Sequence, residues 1–322
     1  MSSNQTAKDP IQISIEPLQE DDLAEADRIF RLAFGTFLSL PDPSQFHQGG
    51  DFIRTRWNAD PSASFAAKIE GKLAGTNFGS NWGSIGFFGP LTVHPDYWDR
   101  GVGKLLMEPI VDLFSRWGTK HAGLFTFAQS AKHVGLYQRF GFWPRFLTAL
   151  MSKSVTPGAK STPHLFSTLS PDQREAARDA TNELTGEVFE GLSLQREIDS
   201  IMDQELGETV LLWEDSQLVG LAVCHCGPGT EAGPETCYIK FGAVRPGKHA
   251  EVNFDRLLRA CETLAVERGL SKLAAGINTA RIEAYQQMLA IGFRTDYQGV
   301  EMHRPNEPGY SRPGVFVIDD WR

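Results

Sequence analysis

Hydrophobic and polar positions change period repeatedly along the chain, and each change marks an element. Residues 11–17, IQISIEP, alternate and predict an opening strand. From Gln19 to Phe34 the apolar positions Leu23, Ala26, Ile29, Phe30 and Ala33 recur at helical spacing, with acidic residues in the first turn. Ser64 to Val93 predicts three strands, reversing at Glu70-Gly71 and again at Asn81–Ser84. The last of them, IGFFGPLTV from Ile85 to Val93, reads as one buried strand ended by Pro95. Leu105, Leu106, Pro109, Ile110, Leu113, Phe114 and Trp117 then form the apolar stripe of a helix. A strand over Ala122–Phe127, a short helix over Ala131–Phe140 and a strand over Trp143–Ser152 complete this unit.

The helix-breaking stretch SVTPGAKSTP, residues 154–163, predicts a linker, and the pattern then starts again. Helices are expected over Pro171–Leu184 and Leu194–Leu206, and strands over Thr209–Trp213, Leu218–Cys226 and Thr236–Val244. A helix over Phe254–Arg268, a strand over Leu273–Gly276 and a helix over Ala280–Ile291 follow. Val244-Arg245-Pro246 ends its strand as Val93-His94-Pro95 ends the earlier one, and Gly292-Phe293 stands where Gly141-Phe142 stood. Such a repeat sets the architecture. The expected division is a loose tail over 1–10, one domain over 11–153, the linker, and a second domain over 164–322.

Between the strand ending at Val93 and the helix carrying Leu105 lies Arg100-Gly101-Val102-Gly103-Lys104. Glycines let backbone N–H groups approach a phosphate, the helix start carries partial positive charge, and Lys104 adds a formal one. The spacing is too short for a Walker A loop, and the third glycine of a dinucleotide fingerprint is missing.

Val-x-Pro, a short spacer, Arg-Gly-x-Gly and a leucine-rich helix resemble the acetyl-CoA motif of the GNAT N-acetyltransferases. LYQRFGFWPR, Leu136 to Arg145, resembles that family's Tyr-x-x-x-Gly-Phe segment and follows about 35 residues later. Trp98 stands where the family usually has Gln or Arg. The resemblance implies an α/β (α+β) fold of two GNAT-like domains, each a mixed, mostly antiparallel twisted sheet flanked by helices. It implies acetyl-CoA as cosubstrate, the acetyl and pantetheine end held by the backbone of Leu91, Thr92 and Val93, and the pyrophosphate by the amides of Arg100, Gly101, Val102, Gly103, Lys104 and Leu105. Tyr137 would protonate the leaving thiolate. Phe37, Leu38, Phe46 and Trp57 would wall the acceptor pocket, with local packing as the competing reading of each. The strand Ser84–Val93 lacks the glutamate that many relatives use as base. His133 titrates in the right range, but a solvated or N-capping histidine is the plainer reading. Some tandem relatives use a terminal carboxylate, which here would belong to Arg322.

The repeat diverges where chemistry would sit. Aligning Leu105-Leu106 with Leu257-Leu258 puts the glycine turn over Glu251 to Asp255, acidic and without glycine, and Met288 takes the place of Tyr137. The second domain is therefore expected to keep the fold without binding CoA.

Composition narrows the reading. A net charge of −9 argues against a nucleic-acid partner, and no apolar run is long enough for a membrane helix. The polar start lacks a signal segment, so a cytoplasmic protein is expected. Four cysteines form no disulfide framework. In Cys224-His225-Cys226 on a strand both thiols share one face and the imidazole takes the other, so two small buried cysteines are favoured over a metal site. The expected activity is N-acetyl transfer to a primary amine, on a small molecule or a peptide, by direct attack in a ternary complex. The alternative is a non-catalytic acyl-CoA-binding regulatory protein. The oligomeric state is left open.

Overall fold

The computed structural model describes residues 12–155 and 163–322. The expected tail, and all of the expected linker except Ser154, Val155 and Pro163, lie outside the described residues. The first half runs β1 (Ile13–Pro17), α1 (Leu23–Phe37), α2 (Ile53–Ala59), β2 (Ser64–Ile69), β3 (Lys72–Trp82), β4 (Ile85–Phe88), β5 (Thr92–Val93), α3 (Val102–Trp117), β6 (His121–Thr126), α4 (Ala131–Gln138) and β7 (Trp143–Ser154). The second runs β8 (His164–Leu165), α5 (Pro171–Val188), α6 (Gln195–Asp203), β9 (Gly207–Glu214), β10 (Gln217–Cys226), β11 (Thr236–Val244), α7 (Ala250–Glu267), β12 (Lys272–Asn278), α8 (Ile282–Ala290), β13 (Arg294–Arg304) and β14 (Val317–Ile318). Local chemistry sets several starts. Ser170 and Gln173 close a capping box over Pro171 at the head of α5, and Ser130 accepts from the His133 N–H at the head of α4.

The strands form one continuous, mostly antiparallel sheet in the order β1-β2-β3-β4-β6-β13-β7-β12-β11-β10-β9-β8. The order of the middle strands is not the order of the chain. β13, late in the second half, lies between β6 and β7, and β7, the last strand of the first half, pairs with β12. The cores record the same exchange. Val300 and Met302 of β13 pack with Ile110, Leu124 and Phe142, while Ala149 and Met151 of β7 pack with Ile239, Phe254 and Ala275. Full burial of such side chains contributes about 1.5–3 kcal/mol each. A third cluster joins the halves directly, with Trp82, Ile85 and Phe87 against Leu192, Ile198 and Phe241.

α3 and α4 cover one face of the first-half sheet, and α1 and α2 the other. The stretch Ile85–Val93, expected as one strand, is two. β4 and β5 both run along β3, but the pairing sum changes by one residue between Phe88 and Thr92, so Gly89-Pro90-Leu91 forms a bulge. Pro90 supplies no N–H, and Gly89 has φ of +140°, a conformation open to glycine.

The last residues turn inward between the halves. Trp321 is buried against His303 and Tyr310, and a Cβ at Gly123 would lie 2.0 Å from its ring. Gly123→Ala is therefore expected to lower stability by about 1–3 kcal/mol, the scale of an overpacked core. A thermal melt showing an unchanged midpoint would mean that Trp321 moves aside freely.

Candidate active site

β4 and β6 are parallel neighbours over three residue pairs, Ile85 with His121 to Phe87 with Gly123, and then separate. Beyond that point β5 keeps β3 as its partner and leaves a gap toward β6. The phase of the β3 ladder decides what faces the gap. The His94 N–H bonds the Ala74 carbonyl at 2.8 Å, and Thr92 lies opposite Thr76 with hydroxyls 2.9 Å apart. In an antiparallel ladder alternate residues point opposite ways, so Leu91 and Val93 turn their N–H groups away from β3. Trp98, at the family's Gln or Arg position, donates its indole N–H to the Val93 carbonyl at 2.7 Å.

The head of α3 is built to meet negative charge. Its N-cap, Gly101, has φ of +83°, and no side chain caps the helix. Leu105 N–H is already bonded to Gly101 O, whereas those of Val102, Gly103 and Lys104 have no intrahelical acceptor. The first turn holds no acidic residue. A Cβ at Gly101 would meet nothing within 4 Å, so the approach is open on that side. A diphosphate fits this donor set, and Arg100, whose guanidinium sits over the Tyr97 ring, flanks it.

α4 carries Tyr137 and His133 one turn apart on one face. Tyr137 is 8% exposed and its ring is edge-on to Phe88. Burial pushes its ionisation well above the usual tyrosine range, so the phenol stays protonated. His133 is half-buried. Burial, and then Lys132, lower its pKa, so its imidazole is neutral at pH 7.

Residues 26–142 match the model of the Acetyltransferase (GNAT) family. This segment is a GNAT acetyltransferase domain. Through this segment the protein is an acyltransferase, and members of that family draw their acyl group from acyl-CoA. A crystal structure of a putative acetyltransferase from Pyrococcus horikoshii is similar over 100% of this chain and 98% of its own, at 14% identity and TM-score 0.68. A GCN5-related N-acetyltransferase from Sphaerobacter thermophilus is similar over 94% of this chain and 97% of its own, at 16% identity and TM-score 0.59. A GCN5-related glucosamine N-acetyltransferase region of a fungal multi-domain GH3 β-N-acetylglucosaminidase matches 91% of this chain and 38% of its own, at 14% identity and TM-score 0.62. No curated protein sequence matches.

The four expected pocket walls of the GNAT domain separate. Phe37 stands beside the α4 residues, 4.4 Å from Phe127 and 5.0 Å from His133 between ring centres. Leu38 follows as the C-cap of α1. Phe46 stacks on Phe34 and Trp57 donates to the Leu18 carbonyl, so both serve the packing of α1. The reading of the sequence missed Phe127, which joins Phe37 and His133, and also Arg56. The Arg56 guanidinium is buried in a bidentate pair with Glu231 of the second half and bonds the Gly89 carbonyl in the bulge. Nothing in the local pattern marks a buried arginine, because charged residues on a short helix ordinarily face solvent.

The second half repeats the parting of parallel strands but fills the gap. β11 pairs with β12 from Thr236 to Ile239, and further along Gly242 and Ala243 pair with β14. The chain's own Val317 and Ile318 thus lie at the position that corresponds to the gap beside β5. The alignment placing a turn over Glu251–Asp255 is corrected. α7 begins at Ala250, these residues are helical, and Gly247 lies in the preceding turn. The leucine pairs misled because this helix starts earlier relative to them. Glu251 remains an acid in the first turn, and Met288 is fully buried. Cys224 and Cys226 contact Cys261 and Cys237, while His225 faces Glu197 from the other side of the strand. Among the described residues no His, Cys, Asp and Glu cluster could hold a metal, and no helix is long and apolar enough to cross a membrane.

A Cβ at Gly103 would meet only Leu136, Leu91 and Val93 side chains, at 3.5 Å or more. Gly103→Asp should therefore fold yet lose acetyl-CoA binding in calorimetry. Retained affinity would put the phosphate site elsewhere.

Proposed function

We propose that the first half is a GNAT-type N-acetyltransferase that moves the acetyl group of acetyl-CoA directly to a primary amine while both are bound. The observation that carries this reading is the gap between β5 and β6, with unpaired Leu91 and Val93 N–H groups on one side and Tyr137 in the helix beside it. Leu91 to Val93 hold the acyl and pantetheine end, and a main-chain N–H there polarises the acyl carbonyl as an oxyanion donor does. The amides of Arg100 to Leu105 hold the pyrophosphate.

An alkylamine of pKa about 10.4 is charged at pH 7, and its neutralisation costs roughly 4–5 kcal/mol. We assign His133 to take that proton, directly or through water. It is neutral at pH 7, half-buried, and lies against Phe37 and Phe127 on the acceptor side. Tyr137, one turn along, gives its proton to the departing sulfur. Its desolvation makes it a weak acid, so the transfer needs charge developing on sulfur rather than free ionisation of the phenol. The second half, from residue 164, is a diverged GNAT-like domain that shapes the site without binding CoA, and the strand occupying its gap supports this. Its loop grips the α1–α2 connection, Thr230 O taking the Asp51 N–H at 2.9 Å and Gly49 O the Gly229 N–H at 2.8 Å.

Titration with acetyl-CoA should give one site per chain by calorimetry; two would show that the second half binds as well. Tyr137→Phe should lower kcat roughly tenfold or more while leaving acetyl-CoA affinity nearly unchanged. Since the Tyr137 pKa is raised, the protonated acid persists as pH climbs. A pH–rate profile should show no fall from its ionisation up to about pH 10, the ordinary tyrosine value. A full-rate Phe variant would remove the acid role.

A further inference from the structure

Arg56 lies outside the cofactor motif but is tied to the segment that forms the acyl end of the site. Four of its five N–H donors are committed to three parts of the chain. Nε and Nη2 hold the two oxygens of Glu231, at 2.9 and 3.2 Å. Nη2 also donates to the main-chain oxygen of Arg322, and Nη1 donates to the Gly89 carbonyl. The guanidinium lies near the Phe52 and Phe87 rings, and the Arg56 side chain is only 4% exposed. Glu231 is fully buried and also accepts from Lys240 at 3.0 Å, and Lys240 bonds Glu197 at 2.7 Å.

The bulge is therefore held at both ends. At one, the Gly89 N–H bonds the Phe78 carbonyl at 2.8 Å and its carbonyl is fixed by Arg56. At the other, Thr92 is locked to Thr76. Pro90 lends no hydrogen bond, so the direction of the Leu91 N–H is set by those two anchors. We propose that Arg56, oriented by Glu231, is a positioning residue for acyl transfer: it aims the Leu91 N–H at the acyl carbonyl, and through it the second half supports chemistry in the first. The inference rests on the assignment of acetyl-CoA to the first-half gap. The fork is required because a lysine ammonium is a point donor and cannot serve the carboxylate, Gly89 and Arg322 together.

The test must separate positioning from folding. Arg56→Met with Glu231→Met removes both charges at once, which avoids a buried unpaired ion and leaves Lys240 with Glu197. This double variant should keep one acetyl-CoA site per chain, with KM for acetyl-CoA within about threefold, while kcat falls roughly ten- to a hundredfold, the scale of a misplaced oxyanion donor. Arg56→Lys, which keeps the charge, should be similarly slow. Undiminished kcat in the double variant would overturn the proposal, as would recovery of full rate by lysine. A rate lost only in proportion to calorimetric sites would also overturn it, since that is what a purely structural pair gives. Wild-type protein that binds no acetyl-CoA would instead overturn the assignment beneath it.

Discussion

The hydrogen-bonded ladder running through β6, β13, β7 and β12 is the constraint on which the other features depend. Each half lends the other a strand, so neither can rotate or separate without breaking a central ladder. This fixed relation lets a buried ion pair span Arg56 and Glu231 with both side chains removed from water. Desolvating two charges is costly unless geometry and extra hydrogen bonds offset it. A flexible pair of domains would not hold the guanidinium in place; a shared sheet does.

The same sheet puts two parted strand pairs in one molecule with opposite outcomes. In the first half the ladder phase leaves peptide groups facing open space beside an uncapped helix start. In the second the corresponding space is taken by β14, anchored by Arg281, which donates to the Val317 carbonyl and pairs with Asp319. The proposed division of labour between the halves thus rests on what sits in the gap rather than on the sheet itself.

Much of this was readable from residue order. Val93-His94-Pro95, Arg100-Gly101-Val102-Gly103 and the Tyr137–Gly141 segment are local signals, because a strand end, a helix start and a helix-to-strand turn each depend on neighbours a few residues away. Gly89-Pro90 inside an apolar run was the visible sign of a bulge, outweighed by the hydrophobicity around it. The place of β13 was not readable, since a strand's period says which face is buried and nothing about which strand lies beside it. Arg56 and Glu231 lie 175 residues apart and look like ordinary surface charges until the fold joins them. Phe46 and Trp57 show the converse limit: aromatic residues near a site serve its packing as readily as its lining.

The strand in the second gap has a thermodynamic consequence. A dissociable ligand stabilises a folded protein by an amount that grows with the logarithm of its concentration, whereas a tethered segment contributes the same at any dilution. The second half therefore carries a permanent internal occupant, while on the proposed reading occupancy of the first half would rise and fall with supply. Because the halves share one sheet, the proposed site would make the resistance of the whole chain to unfolding and proteolysis a readout of acyl-CoA abundance, gathered at one end of the molecule and felt at both.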